Sequence, residues 1–169
     1  EAKQFLQKLL ANDVAKLGAA GKALYSCMLT PDGGVIDDLI VYFRGPDRYR
    51  VVVNAATRDK DIAWIEKQAK PFAIDVVEGQ GLAMIALQGP KARELVASVL
   101  APQFRAPALA LAPFTAMDAG KQFIARTGYT GEDGFEIYIP PQYVAPLWHA
   151  LLEAGAPVGL QPCGLGARD

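Results

Sequence analysis

Two adjacent acidic residues interrupt a hydrophobic segment, and this pair constrains the fold more than any other feature of the chain. The segment reads Gly33-Gly34-Val35-Ile36-Asp37-Asp38-Leu39-Ile40-Val41-Tyr42-Phe43. Side chains alternate between the two faces of a strand, so Asp37 and Asp38 point to opposite faces. Whichever face packs on the core, one carboxylate lies among apolar neighbours, where it needs a hydrogen bond, an ion pair or a proton. The pattern predicts that the protein uses at least one acid. The alternative is a strand whose solvent face carries one acid while the other caps a turn.

Composition narrows the class of protein. With 51% hydrophobic and 21% charged residues, the chain is typical of a globular fold. A net charge of −1 favours neither a nucleic-acid nor a membrane partner. No apolar run approaches the roughly 20 residues of a membrane helix, and no secretory signal is present. Cys27 and Cys163 stand far apart, which predicts free thiols and a reducing, cytoplasmic location.

The scarcity of histidine and cysteine limits the possible chemistry. Two cysteines and one histidine do not supply a zinc-ligand spacing, so no metal is expected. His149 falls outside the apolar face of a predicted helix, which predicts a surface position rather than a catalytic triad. If the protein is an enzyme, carboxylates must therefore carry the polar chemistry.

The hydrophobic periodicities predict alternating helices and short strands. The predicted helices cover residues 2–11, 57–69, 90–100 and 142–154, with Thr57 as a candidate cap. The predicted strands cover residues 22–29, 35–44, 49–54, 72–78, 82–88, 113–118, 121–127 and 135–139. Residues 101–112 are expected to form a loop or a loose turn of helix. This order predicts an α+β fold of mixed, largely antiparallel sheets with packed helices, with no linker that divides the chain.

A second polar cluster occupies residues 126–137. It reads Arg126-Thr127-Gly128-Tyr129-Thr130-Gly131-Glu132-Asp133-Gly134-Phe135-Glu136-Ile137. It lacks the lysine ending of a P-loop and the ligand series of a calcium loop. A hairpin turn with a polar tip remains the alternative to a ligand site. Glu136 favours a site, because it stands between two apolar residues in a strand and faces away from both.

Five segments together resemble one family, the T-proteins of the glycine cleavage system in their bacterial form. The segments are Gly33-Gly34-Val35-Ile36-Asp37-Asp38-Leu39, Val52-Val53-Asn54-Ala55, Leu87-Gln88-Gly89-Pro90, Gly128-Tyr129-Thr130-Gly131-Glu132 and Gly164-Leu165-Gly166-Ala167-Arg168-Asp169. The resemblance runs over essentially the whole chain in the same order. It implies that residues 1–169 form a partial folate-binding aminomethyltransferase domain, an internal fragment that lacks an N-terminal segment and C-terminal domains.

The resemblance also implies an activity. Members of this family release ammonia from an aminomethyl group on the dihydrolipoyl arm of the H-protein. They pass the one-carbon unit to tetrahydrofolate, which gives 5,10-methylenetetrahydrofolate, and they use no metal. By this matching Asp38, and not Asp37, is the catalytic aspartate, placed beside the N10 amine of the folate to orient it and share its proton.

The same matching places six further residues at the folate site. They are Tyr25, Val52, Asn54, Tyr129, Glu136 and Arg168. Glu136 would hold the pterin edge and the two tyrosines would pack on or near the folate. Carboxylates, an amide and aromatic rings suit a flat, nitrogen-rich heterocycle, although the sequence alone does not show that they converge.

The sequence leaves three alternatives to this function open. The first is the demethylating domain of sarcosine or dimethylglycine oxidases, which is fused to flavin domains; no dinucleotide fingerprint occurs in this chain. The second is a non-catalytic folate-binding relative, in which a cysteine enters the glycine–tyrosine motif; here residues 127–131 contain none. The third is a fragment that folds but does not turn over substrate.

Overall fold

A computed structural model describes residues 1–79 and 81–168, with the backbone alone at Leu165 and Arg168. The chain forms two compact units, Glu1–Glu78 and Gly79–Asp169. Each unit packs helices on an antiparallel sheet, so the predicted α+β class is confirmed. Among the described residues, no helix combines the length and apolar character needed to cross a bilayer.

The first unit is built on a three-stranded sheet in the order β1-β2-β3. Its elements are α1 (Ala2–Leu9), β1 (Ala23–Leu29), β2 (Val35–Gly45), β3 (Arg48–Val53) and α2 (Arg58–Ala69). A tight turn between β2 and β3 places Gly45 at φ 137° and Asp47 at φ 52°, and the sequence Gly45-Pro46-Asp47 is typical of such a turn. One sheet face joins α1 and α2 in a core that includes Leu39, Val41 and Ile65.

The second unit is built on a four-stranded antiparallel sheet in the order β4-β7-β6-β5. Its elements are β4 (Ala83–Gln88), α3 (Ala92–Val99), α4 (Pro102–Leu109), β5 (Ala116–Ala119), β6 (Gln122–Ala125), β7 (Gly134–Ile139), α5 (Val144–Gly155) and α6 (Leu165–Arg168). Phe135 and Ile137 of the central strand β7 pack with Val96 of α3 and Leu151 of α5. His149 of α5 is exposed, as predicted.

Residues 72–78 form no strand, so that prediction was wrong. Phe72 and Ile74 instead pack as anchors on the first core, with Phe72 edge-on to Phe5 at 5.5 Å between ring centroids. The amide of Ala73 donates to the side chain of Glu1 at 2.6 Å, where a strand would have used a neighbouring backbone. Val76 and Val77 are exposed, so only part of this apolar segment is used in packing.

Two helical predictions also need correction. Residues 102–109 form the regular helix α4, where a loop or a loose turn of helix was expected; Pro102 stands at its first turn, where a missing amide hydrogen is harmless. Thr57 does stand at the N-cap position of α2, but its side chain makes no capping hydrogen bond. The buried residues of α2 are Asp61, Ile65 and Ala69, so an acid occupies a buried position of this helix.

Candidate functional site

The strand β2 places its two acids on opposite faces, as the alternation predicts. Asp37 lies on the face of Leu39 and Val41, which belong to the core of the first unit. Asp38 lies on the other face, directly opposite Cys27 of β1. The two acids can therefore serve different purposes although they are neighbours in sequence.

Asp38 has a hydrogen-bond donor on each carboxylate oxygen. The phenol of Tyr25 donates to Oδ2 at 2.8 Å. The amide nitrogen of Asn54 donates to Oδ1 at 2.7 Å. The hydrogen bond to Asp38 is the largest of the effects that raise the pKa of Tyr25 to about 12, so the phenol keeps its proton. These donors fix the orientation of a half-buried carboxylate before any ligand arrives.

The carboxylate of Asp37 accepts more hydrogen bonds than the carboxylate of Asp38. Its carboxylate accepts hydrogen bonds from the hydroxyl of Thr57, from the Asn54 amide at 3.0 Å and from the backbone amide of Asp38 at 2.8 Å. The Thr57 hydroxyl is the main cause that lowers the pKa of Asp37 to about 2, against the effect of burial. The amide of Asn54 thus bridges both acids.

Sequence analysis missed two members of this cluster. Thr57 also lies 2.9 Å from the carboxyl of Asp61, which is completely buried on α2. Burial raises the pKa of Asp61, and the neighbouring Asp37 carboxylate raises it further. The signal was present in the sequence: Asp61 precedes Ile65 and Ala69 at helical spacing, which puts an acid on the buried stripe.

Glu136 is the central feature of the second unit. It lies on β7 between Phe135 and Ile137, faces away from both, and is only 1% exposed. The hydroxyl of Thr127 donates to its Oε2. Its Oε1 has no hydrogen-bond partner in the described part of the chain. Burial raises the pKa of Glu136, while the hydrogen bond from Thr127 opposes the rise.

The loop between β6 and β7 is tied to its surroundings at both ends. Arg126 makes two hydrogen bonds to Asp133, each at 2.8 Å. The amide of Gln88 donates to the carbonyls of Thr127 at 3.1 Å and Phe135 at 3.3 Å. A Cβ at Gly128 would lie 2.4 Å from Gln88 Oε1, so a larger residue there would have to displace the Gln88 side chain. The hairpin expected from the pattern is therefore real, and it is more rigidly held than a plain turn.

The structure brings some of the predicted residues together and leaves others apart. Tyr25, Asp38 and Asn54 are in direct contact in the first unit. Val52 shares their sheet face through its pairing with Ile40. Tyr129 is 54% exposed on the loop that precedes β7.

Arg168 ends the short helix α6, and its side chain lies outside the described part of the chain.

Fold and site together define an α+β protein whose polar chemistry is carried by carboxylates, with phenol, hydroxyl and amide groups as their donors. Both thiols are free. Among the residues that the structure describes, no group of three or more histidine, cysteine, aspartate or glutamate side chains could hold a metal.

Comparisons with known proteins identify the family. The GCVT N-terminal domain matches residues 1–169. An aminomethyltransferase of Stenotrophomonas maltophilia (strain R551-3) is 52% identical over 174 aligned positions, which cover 100% of this chain and 46% of that protein. The crystal structure of glycine cleavage system aminomethyltransferase T from Bartonella henselae matches with a TM-score of 0.83 at 33% identity, over 99% of this chain and 44% of that one. The chain therefore belongs to the GCVT N-terminal domain family, and it spans about half the length of these relatives.

Proposed function

We propose that the protein containing this chain is a tetrahydrofolate-dependent aminomethyltransferase of the glycine cleavage system. It would release ammonia from the aminomethyl-dihydrolipoyl arm of the H-protein and form 5,10-methylenetetrahydrofolate. The observation that carries the proposal is Asp38, whose two oxygens are held by Tyr25 and Asn54 in a family with a relative named aminomethyltransferase. Because the chain spans 46% of that relative, the proposal concerns the whole protein.

Asp38 is suited to act on an amine. A carboxylate held by two donors cannot rotate away from a bound substrate, so it can orient an amine and accept its proton as a new carbon–nitrogen bond forms. The same negative charge stabilises positive charge that develops on the reacting nitrogen. Tyr25 and Asn54 act here by fixing Asp38, and Val52 would line the same face of the sheet.

The second unit offers acceptors that suit a pterin. Glu136 Oε1 and Gln88 Oε1 are buried and have no hydrogen-bond partner among the described residues. The edge of a pterin carries N–H donors, which would satisfy such oxygens and remove the cost of leaving them unpaired. Tetrahydrofolate would supply the nitrogen atoms that receive the one-carbon unit. We assign Glu136 to the pterin edge, Tyr129 to the folate surface and Arg168 to the same site.

The lipoylated H-protein follows from the same proposal as the carrier of the aminomethyl group. The match to an enzyme named for the glycine cleavage system supports this partner. A cytoplasmic location is proposed on the basis of the bacterial relatives.

The experiment that tests the function uses the full-length protein with aminomethylated H-protein and tetrahydrofolate under anaerobic conditions. We expect ammonia and 5,10-methylenetetrahydrofolate to appear in equal amounts, and neither to appear when the H-protein is omitted. Sarcosine and dimethylglycine serve as alternative substrates. One-carbon transfer from either of them, with none from the H-protein, would contradict the proposal and favour the demethylating relatives.

A further inference from the structure

Asp61 is a buried carboxyl group that the proposed chemistry does not use. It lies on the first turn of α2, is 0% exposed, and its Oδ2 meets the hydroxyl of Thr57 at 2.9 Å. Its Oδ1 has no hydrogen-bond partner within the described residues, and the ammonium of Lys60 is 4.0 Å away. An acid in this position needs a reason, because burying a charge with so few partners is unfavourable.

The contacts of the Thr57 hydroxyl explain how an acid can be buried here, because this hydroxyl has only one hydrogen to share. Its oxygen lies within hydrogen-bond distance of Asp37 Oδ2, of Asp61 Oδ2 and of the Asn54 carbonyl, the last at 3.3 Å. A hydroxyl has one hydrogen to donate and two lone pairs that accept. It cannot donate to both carboxyl groups, so one of the two acids must carry a proton and donate it to Thr57.

The surroundings decide which acid holds the proton. Asp37 is half-buried and already accepts from the backbone amide of Asp38 and from Asn54, which stabilises its ionised form. Asp61 is completely buried and has Thr57 as its close partner. The neutral acid is therefore Asp61, which agrees with the raised pKa of Asp61 and the lowered pKa of Asp37.

If Asp61 carries the proton, each hydrogen bond in the cluster has one defined donor and one defined acceptor. Asp61 donates to Thr57, and Thr57 donates to the Asp37 carboxylate. Asn54 places its two amide hydrogens on Asp37 Oδ1 and Asp38 Oδ1, so the orientation of the amide is fixed by two carboxylates. The phenol of Tyr25 donates the last hydrogen bond of this network, to Asp38 Oδ2.

We propose that Asp61 is a positioning residue that works as a protonated acid, and that it orients the catalytic Asp38 through Thr57, Asp37 and Asn54. The inference rests on the proposed function for the role of Asp38, but the protonation of Asp61 can be tested without it. A neutral acid in this place lets two carboxyl groups share one hydroxyl without repulsion.

The first test is an infrared difference spectrum of the 169-residue chain near neutral pH. We expect a carbonyl band of a protonated carboxyl group that disappears in Asp61→Asn and persists in Asp59→Asn. Asp59 is the matched control, because it lies on the same turn of α2 with its side chain 90% exposed. Glu136 is also buried and can contribute a band of its own, which the difference spectrum removes. A spectrum that does not change between the wild type and Asp61→Asn would overturn the protonation.

The second test is turnover of the full-length enzyme. Asparagine has the shape of a neutral aspartic acid and can donate to Thr57, so Asp61→Asn should retain turnover, whereas Asp61→Ala should lower kcat by about 10-fold with little change in the KM for tetrahydrofolate. Equal losses in both variants would show that the charge of Asp61 is needed and would overturn the inference. Absence of turnover in the wild type would instead count against the proposed function and leave the infrared result standing.

Discussion

Each of the two units holds one acid to which the proposed function gives a role, and the two acids are held in opposite ways. Asp38 is half-buried, and each of its oxygens accepts a hydrogen bond from a side chain. Glu136 is almost completely buried, yet only one of its oxygens has a partner in the described part of the protein. The first acid is satisfied before a ligand arrives, and the second is not.

This difference suggests different roles for the two acids, with Asp38 orienting the reacting groups and Glu136 binding the ligand. A carboxylate whose oxygens already accept hydrogen bonds gains little affinity from a new contact with the substrate. Its contribution to the reaction is therefore its fixed position. An unpaired buried oxygen gains a full hydrogen bond when a donor arrives, and this gain appears as affinity. We therefore expect Asp38 to control turnover and Glu136 to control folate binding.

The largest expected effect is on turnover in Asp38→Asn. The substitution keeps shape but removes the charge and proton acceptor, so kcat should fall about 100-fold or more. The KM for tetrahydrofolate should change much less. Asp32→Asn is a suitable control, because Asp32 is an exposed acid in the turn before the same strand. Turnover near the wild-type value would remove Asp38 from the catalytic role.

The next effect is on folate affinity in Glu136→Ala. Loss of a buried hydrogen bond to the pterin should weaken binding about 10- to 100-fold in anaerobic calorimetric titration of the 169-residue chain. The melting temperature is measured beside it, since removing a fully buried side chain leaves a cavity that lowers stability.

Glu132→Gln, on the exposed loop before β7, controls for loss of charge alone. If the chain binds folate and Glu136→Ala binds equally well, the contrast between the two acids fails.

Local patterns in the sequence predicted much of this contrast. Period-two alternation placed Asp37 and Asp38 on opposite faces and turned Glu136 away from the core. The turn residues near Gly45 predicted the hairpin that brings Asn54 back beside β2. These features depend on neighbouring residues, and short-range geometry decides them.

The remaining features depend on partners far apart in sequence. Thr57 at a helix start reads as a cap, but Asp37, 20 residues earlier, takes its hydroxyl. The apolar residues of 72–78 read as a strand, but whether a strand forms depends on an available neighbour, which no local pattern specifies. The unpaired oxygen of Glu136 is likewise a property of the assembled unit, not of its segment.

A smaller effect concerns the pH dependence of stability in the Asp37 cluster. The pKa of Asp37 falls from 3.8 to about 2 on folding. The carboxylate therefore stabilises the fold above about pH 4, and this contribution is lost as the pH falls through the folded pKa. After allowance for solvent screening, it amounts to about 1 kcal/mol.

Asp37→Asn should remove that contribution. The free energy of unfolding, measured in urea between about pH 6 and pH 2.5, should change by about 1 kcal/mol less in the variant than in the wild type. Asp61 has the opposite sign, because its raised pKa makes the folded state less favourable as the pH rises above the unfolded value. An unchanged pH dependence in Asp37→Asn would show that Thr57 does not stabilise the carboxylate.

The smallest expected effect is on the ion pair that ties the loop before β7. Arg126 and Asp133 make two charged hydrogen bonds, but Asp133 is 43% exposed, so a double-mutant cycle with Arg126→Gln and Asp133→Asn should give a coupling of about 0.5–1 kcal/mol in the free energy of unfolding. Added salt should weaken this coupling, because water and ions reach the pair. The matching cycle with Tyr25→Phe and Asp38→Asn, at the acid of the first unit, tests a neutral donor and should respond less to salt. If both couplings fell equally with salt, the orientation of Asp38 would depend on long-range charge rather than on its hydrogen-bond donors.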